Sequence, residues 1–298
     1  MSVKTRNLGR NLTVSEIGLG CMTIGKDYSE NSKREAIKII RRAYELGVTM
    51  FDTAELYAEG KNESLVGEAL HPFRDKIIIA TKCGVMFESG HISGNVSGKM
   101  IMDSRPETIR KSLEGSLKRL QTDYIDLYYC HRFDNTTPME ETLRTLSGLV
   151  DSGKILYYGV SEEWSAARIT EAEIIIEKYN LHPLTVIQPQ YNMVDRYIEH
   201  EIVDVCKKYG IGITPFSPLA QGLLTGKYKK GEPFPEGSRA ILQADHQVNA
   251  LLTDENLDKV EKLSKIAEEL GTTMPCLALA WILKKPMISC VIVGATKA

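Results

Sequence analysis

The feature that most constrains this chain is a repeated change of period. Short apolar runs rich in Val, Ile and Tyr alternate with longer stretches whose apolar residues recur at helical spacing, and this continues from one end to the other. The strand-like runs are Ile17–Gly20, Val48–Asp52, Ile77–Lys82, Ile125–Tyr129, Ile155–Val160, Leu184–Gln188, Gly212–Phe216 and Ile288–Val293. Helical patterns cover Ser32–Leu46, Glu63–Leu70, Arg105–Leu120, Met139–Asp151, Ser165–Lys178, Ile202–Tyr209, Asn256–Leu270 and Pro275–Lys284. In the first of these, Ala36, Ile37, Ile39, Ile40, Ala43 and Leu46 share one face, with Ser32 as the expected N-cap and Gly47 as the stop.

Eight such strands, each but the last followed by helix, leave two architectures: a closed (β/α)8 TIM barrel or an open doubly wound sheet. Most of the runs are apolar throughout, as parallel strands buried on both faces must be. The polar residues decide between the two. Asp52, Lys82, His131, Ser161 and Gln188 fall at the C-terminal ends of strands two to six. In a barrel those ends ring one mouth and converge on one ligand. In an open sheet they are strung along an edge, and only those beside the switch point meet. The expected fold is therefore α/β, a (β/α)8 TIM barrel. Lys4–Leu8 and Leu12–Glu16 flank Gly9-Arg10-Asn11 as a small N-terminal β-hairpin would, placed to plug the bottom of the barrel. No linker, low-complexity stretch or charge block interrupts residues 1–298, which read as a single domain.

Composition narrows the function classes. Lys and Arg total 37 against 39 Asp and Glu, a formal net charge of −2, so nothing points to nucleic acid or an anionic membrane as partner. The segment from Met1 to Asn7 has no apolar core of the kind a secretory signal needs, and no apolar run approaches the ~20 residues that span a bilayer. The six cysteines are scattered, with no C-x-x-C pair, which reads as free thiols in a reducing cytoplasm. No H-E-x-x-H or Cys/His cluster suggests a metal. Gly18-Leu19-Gly20 opens like a dinucleotide fingerprint, but Thr23 stands where the third glycine belongs. Gly222–Lys227 has the glycine and lysine of a phosphate loop, but Tyr228 stands where a Ser or Thr is required.

Asp52, Tyr57, Lys82 and His131 are the candidate catalytic group. Reducing a carbonyl requires a proton donor for the alkoxide that forms as hydride arrives. A tyrosine hydroxyl serves, with an ordinary pKa of about 10 that a nearby ammonium lowers. A carboxylate keeps that lysine charged, and a histidine orients the substrate oxygen or relays the proton. Taken singly, each has an ordinary structural reading as a cap, an ion-pair partner or a packed side chain. Four together at neighbouring strand ends point to a site.

These residues lie within longer motifs. Phe51-Asp-Thr-Ala-Glu-Leu-Tyr-Ala-Glu-Gly60, Thr81-Lys82, Tyr129-Cys-His131, Gly159-Val-Ser161, Gln188-Pro-Gln-Tyr-Asn192, Phe216-Ser-Pro-Leu219 and Gly222–Tyr228 follow one another in order. Together they resemble the aldo-keto reductase superfamily, over nearly the whole chain from Gly18 to Thr296. The Ser217–Ala220, Lys227-Tyr228 and Ser238-Arg-Ala240 segments are most similar to the branch holding potassium-channel β-subunits and bacterial aldo-keto reductases. The resemblance implies NADPH-dependent reduction of aldehydes or ketones, with Tyr57 as general acid, Lys82 and Asp52 assisting it, and His131 orienting the carbonyl. It implies Ser161 and Gln188 on the nicotinamide carboxamide and Phe216 stacked on the ring. Ser217, Leu219 and Gly222 would line the pyrophosphate, with Lys227 and Arg239 near phosphates; two cations there favour NADPH over NADH. Gly20, Cys21 and Met22 would flank the cofactor at strand one, and Gly294 and Thr296 at the end of strand eight.

Two departures stand out. Glu162 follows Ser161 where many relatives have Asn. The family continues past Lys297 with a last barrel helix bearing a Gln and a Glu-Asn pair, which the sequence as given does not include, so a barrel lacking that helix and weaker cofactor binding are expected. The stretch from Gly84 to Ser104 is long for a βα loop. Met22, Phe87, Trp164 and Met193, with Tyr57, are the expected pocket lining, and their character suggests a small apolar aldehyde or ketone. An alternative is a redox-sensing regulatory subunit that binds NADPH with incidental turnover. A third reading, Schiff-base chemistry on Lys82, is opposed by the cofactor motifs. Oligomeric state is left open by the sequence.

Overall fold

A computed structural model describes residues 3–25, 29–87, 99–242 and 247–298. Its core is a parallel sheet of eight strands in the order Gly212–Ile213 (β11), Val186–Ile187 (β10), Ile155–Glu162 (β9), Ile125–Arg132 (β8), Ile78–Cys83 (β5), Met50–Asp52 (β4), Ile17–Gly20 (β3) and Val291–Gly294 (β12). The two edges meet. Ile213 bridges Ile288 in parallel, Ser289 N donates to Ile213 O at 2.9 Å, and Ile292 N donates to Pro215 O at 3.1 Å. The sheet therefore closes on itself, its first strand joined to its last.

Strand periodicity sorts the side chains. Met50, Ile78, Ala80, Leu127, Tyr129, Val186, Cys290 and Ile292 form one buried cluster, the filled interior. Their alternates Phe51, Ile79, Tyr128, Val160, Ile187 and Val291 belong to a second cluster, against the surrounding helices. Continuing the inner set toward the strand ends gives Asp52, Lys82, His131 and Gln188, so the same period-two rule that fills the barrel aims these side chains at its mouth.

The helical layer is Glu30–Glu45 (α1), Lys61–Leu70 (α2), Pro106–Leu120 (α3), Met139–Asp151 (α4), Ala166–Tyr179 (α5), Ile202–Tyr209 (α6), the short Arg239–Leu242 (α7) and Gln247–Leu251 (α8), Asp254–Glu269 (α9) and Met274–Leu283 (α10). The expected cap of α1 is corrected: Ser29 is the N-cap, its hydroxyl accepting from Ser32 N, and Ser32 lies inside the first turn. Either serine is a competent cap; the outer one is used because the helix gains a turn with Glu30 at its positive end. Ser165 caps α5 in the same way, its hydroxyl accepting from Arg168 N. Among the described residues no single helix is long and apolar enough to cross a bilayer.

The predicted N-terminal hairpin is present, Thr5–Leu8 (β1) against Leu12–Ser15 (β2). Leu8 and Val14 are fully buried in the inner cluster. A side chain on Gly212 would meet Leu8 Cδ1 at 2.4 Å and Gly9 N at 2.6 Å, so the hairpin seals the end of the barrel opposite the polar mouth. In the long segment 84–104, Val85–Phe87 (β6) pairs with Met100–Met102 (β7), a hairpin the sequence reading does not anticipate. Residues 88–98 lie outside the described set. The last element is β12, four residues before the end of the sequence as given.

Candidate functional site

The loop from Asp52 to α2 carries two of the four candidate catalytic residues, and its course is dictated locally. Asn62, fully buried at the start of α2, accepts from Thr53 Oγ1 at 2.7 Å and donates to Cys21 O at 2.9 Å and Ile24 O at 3.3 Å. One amide thus ties the loops after β3 and β4 to a single helix. Ala58, Glu59 and Gly60 then all take left-handed backbone, with φ of 50°, 56° and 77°. Two of these are not glycine, at a cost of roughly 1 kcal/mol or more each. That tight reversal leaves Tyr57 at the tip, half-buried at the mouth.

Lys82 is 1% exposed. Its Nζ donates to Asp52 Oδ1 at 2.6 Å, Thr53 O at 2.9 Å and Tyr57 Oη at 3.3 Å, using all three ammonium protons. Asp52 Oδ2 accepts from Gln188 Nε2 at 2.8 Å. Ser161 Oγ donates to Gln188 O at 2.8 Å. His131 presents its ring to Tyr57 edge-on, centroids 5.9 Å apart and planes at 81°. Its Nδ1 is buried without a hydrogen-bond partner among the described residues.

The electrostatics follow from this geometry. Burial opposes the charge on Lys82, but the Asp52 carboxylate and the Tyr57 hydroxyl outweigh it and hold the ammonium above its ordinary value. Burial, and then the positive charges of Lys82 and Arg132, push His131 well below the ordinary imidazole value, so the ring is neutral. Tyr57 requires a correction. The expectation that the ammonium lowers its pKa is met only as one contribution; burial is larger and Asp52 adds to it, so the phenol ends above its ordinary value. It keeps its proton in the resting site.

The expected cofactor positions spread along the neighbouring rim. Gly20 is in register with Asp52 on one side and Gly294 on the other. The Cys21 side chain is fully buried, so that residue offers only backbone, while Met22 is 51% exposed. Phe216 N donates to Pro189 O at 3.0 Å, which ties this strand end to the one bearing Gln188. Ser217, Ala220, Gln221 and Gly222 all have positive φ, folding the chain sharply below Leu219. A side chain on Gly222 would come within 3.3 Å of Lys227 Nζ. Arg239 is half-buried, and among the described residues it has no carboxylate partner; burial pulls its pKa below the ordinary guanidinium value. Beside it Ser238 Oγ is buried with no hydrogen-bond partner among the described residues. A half-buried cation without a carboxylate partner suits an anionic group. Thr296 is exposed.

The expected pocket residues lie on separate segments. Trp164 packs edge-on against Phe133 at 5.2 Å and borders a groove of about 320 Å³ with Tyr197, His200 and Glu201. None of the four candidate catalytic side chains lines that groove. Met193 packs against the cluster of Leu223, Leu224 and Met274, and Phe87 is half-buried on the β6–β7 hairpin. Glu162, the departure noted above, forms an ion pair with Arg132, its register partner on β8.

Two contributors go unselected in the sequence reading. Asn62 is one. Glu55, two residues before Tyr57, is the other: its Oε1 accepts from Gly84 N at 3.3 Å and Ser112 Oγ at 3.0 Å. The only signal for either is position, inside or just beyond the Phe51–Gly60 motif.

Comparison with known proteins agrees with this architecture. The sequence profile of the aldo/keto reductase family matches residues 16–298. A probable voltage-gated potassium channel subunit beta from Oryza sativa subsp. japonica is 40% identical over 301 residues, covering 98% of this chain and 87% of the relative. An L-glyceraldehyde 3-phosphate reductase from Escherichia coli (strain K12) is 36% identical over 271 residues, covering 87% and 75%. Among solved structures, a glycerol dehydrogenase from Gluconobacter oxydans matches with a TM-score of 0.83 at 31% identity, covering 100% of this chain and 88% of that one. An aldo-keto reductase from Bacillus halodurans, in its holo form, matches at 0.76 with 32% identity, covering 99% and 87%. A closed barrel with a buried Asp–Lys–Tyr chain at its mouth, and a family profile running almost its full length, lead to one conclusion: this chain belongs to the aldo/keto reductase family, a family of oxidoreductases.

Proposed function

We propose that this protein reduces aldehydes or ketones to alcohols with NADPH, and runs the reverse reaction, with Tyr57 as the proton donor. The observation that carries the reading is the hydrogen-bonded chain Asp52–Lys82–Tyr57 at the mouth, with a neutral His131 edge-on to the same phenol. Reduced nicotinamide, when bound, supplies the hydride. Tyr57 Oη gives its proton to the carbonyl oxygen. Its raised pKa keeps that proton in place until the oxygen becomes an alkoxide, a far stronger base than a phenolate. The phenolate left behind lies 3.3 Å from the Lys82 ammonium, whose charge Asp52 secures. The electrostatic stabilisation is therefore built before the reaction begins. Neutral His131 can donate a hydrogen bond to the substrate oxygen without competing as an acid.

Lys227, Arg239 and Ser238 are the residues that would hold the phosphates; Arg239, without a carboxylate partner among the described residues, and the unsatisfied Ser238 hydroxyl support NADPH over NADH. Ser161 and Gln188 would take the carboxamide, and Phe216 would face the ring. The test is NADPH oxidation followed by absorbance with a panel of aldehydes and ketones, comparing the protein with Tyr57→Phe. A loss of roughly 10²–10⁴ in kcat with unchanged cofactor Kd is expected. Equal activity in the variant removes the mechanism. A second reading, a subunit that reports NADPH state to a channel protein, is favoured by the 40% identity to the rice potassium-channel β-subunit. Tight NADPH binding with turnover limited by cofactor release in both proteins would select it.

A further inference from the structure

We infer that Glu55 is a positioning residue for the proton donor: it clamps the loop that carries Tyr57 to the strand end that carries Lys82, and its ionisation tightens the clamp. The inference rests on the carbonyl-reduction reading for its kinetic part only.

Glu55 bridges three elements. Its backbone N donates to Lys82 O at 3.3 Å, joining the Tyr57 loop to β5. Its carboxylate Oε1 accepts from Gly84 N at 3.3 Å, in the turn directly after Cys83, and from Ser112 Oγ on α3 at 3.0 Å. Gly84 takes a left-handed φ of 84°, so this N–H is turned out of the strand ladder and aimed at the loop. Two residues further along lies Tyr57, whose 3.3 Å contact with Lys82 Nζ spans the same pair of elements. Whatever fixes the Glu55 bridge therefore fixes the Tyr57–Lys82 distance.

The carboxyl is poised to change state. Burial pushes it up to about 7, partly offset by the Ser112 hydrogen bond. The charged and titratable groups around it are Glu63 on α2, which raises it further, Arg119 on α3, which lowers it, Cys83 on β5 and Tyr128 on β8, whose own burial holds the phenol protonated throughout this range. Both hydrogen bonds fall on Oε1, so the proton can come and go at Oε2 without breaking either. An ionised acceptor makes bonds roughly twice as strong as a neutral one. The clamp is consequently firmer above neutrality and softer below it. Neither Tyr57, held above the phenol range, nor His131, held well below the imidazole range, titrates in that window.

Stability runs the other way. The folded-state pKa is raised above its unfolded value of about 4.3, so the buried anion destabilises the fold progressively as pH rises from there to about 7. Glu55 thus trades stability for a firmer site as pH increases.

The experiment compares Glu55→Gln with the unaltered protein at pH 5–8.5. Gln keeps the acceptor but never ionises. At pH 8, kcat of the variant should be about 2- to 10-fold lower, converging with the unaltered protein near pH 5.5, with KM and NADPH Kd unchanged. Glu55→Asp should keep a pH-dependent kcat while lowering it throughout. The thermal midpoint of Glu55→Gln should gain on that of the unaltered protein as pH rises from 5 to 8, a readout independent of any turnover. A kcat inflection near pH 7 that survives in Glu55→Gln overturns the positioning role. A midpoint difference that does not change with pH overturns the titration itself. Should neither protein turn over any carbonyl while the midpoint difference behaves as stated, the carbonyl-reduction reading fails and the clamp stands on its stability arm.

Discussion

Replacing Asp52 with asparagine removes one charge from an ion pair whose side chains are 5% and 1% exposed, at nearly constant volume. At 2.6 Å and an effective dielectric of about 20, the lost attraction is about 6 kcal/mol. The substituted side chain would still offer one amide oxygen to the ammonium, worth about 1.5–3 kcal/mol, so a net loss of about 3–5 kcal/mol is expected, the range for a broken buried pair. Gln188 adds to it: its Nε2 now donates to Asp52 Oδ2, and an amide that turns its oxygen to Lys82 turns its NH2 to Gln188. The sign with pH is fixed as well. Without the carboxylate, burial prevails at Lys82 and its folded pKa falls below the unfolded value of about 10.4. The deficit is then complete near neutrality and shrinks as pH climbs toward 10. The assay is urea unfolding at pH 7 and pH 9.5, read by far-UV circular dichroism and tryptophan fluorescence, with coincident transitions and an unchanged m-value required. The double variant Asp52→Asn/Lys82→Met should recover most of the loss, since no buried charge then lacks a partner. A single-variant cost under about 1 kcal/mol, or a double variant less stable than the single, would refute the reasoning that each buried charge is tolerated only because the other faces it.

The hairpin seal, a glycine inside α4 and the proposed phosphate contact of Arg239 each predict a measurable change. Gly212→Ala should cost about 1–3 kcal/mol, because its Cβ would meet the Gly9 backbone N at 2.6 Å, where nothing flexible can yield. Gly148→Ala, inside α4 and with none of the described residues within 4 Å of the new Cβ, should gain about 0.5–1 kcal/mol; both are read from urea midpoints. Arg239→Leu should weaken NADPH binding at least tenfold and NADH binding much less, as titrated by cofactor fluorescence. Equal losses for the two cofactors would remove Arg239 from the phosphate that distinguishes them.

The barrel is legible in the sequence because its two periods are strong: apolar strand runs and 3.6-residue helical faces recur often enough to survive local ambiguity. Strand ends are less so. β10 and β11 are only two residues each, shorter than Leu184–Gln188 and Gly212–Phe216 suggest, because Pro189 and Pro215 have no N–H to donate and interrupt the ladder, which resumes in the same register where Gln190 pairs with Phe216. The β6–β7 hairpin escapes the sequence reading since each strand is only three residues long, too short for a period of two to show. The catalytic candidates are readable from residue type and strand position. The pocket lining is less so, because Trp164, Met193 and Phe87 lie on three separate segments whose mutual approach no spacing encodes.

What the sequence by itself determined is which side chains face inward and at which end of each strand they lie, since a period of two leaves no freedom once a strand is buried on both faces. That places Asp52, Lys82, His131 and Gln188 at one mouth. What only the tertiary structure decided is the balance of forces once they are there. Whether Lys82 lowers the Tyr57 pKa or burial raises it, and whether Glu55 is an exposed loop acid or a half-buried clamp with a pKa near 7, depends on how much solvent the packed helices exclude. Solvent exclusion is a property of the assembled barrel, contributed by residues far apart in sequence, and no local pattern carries it.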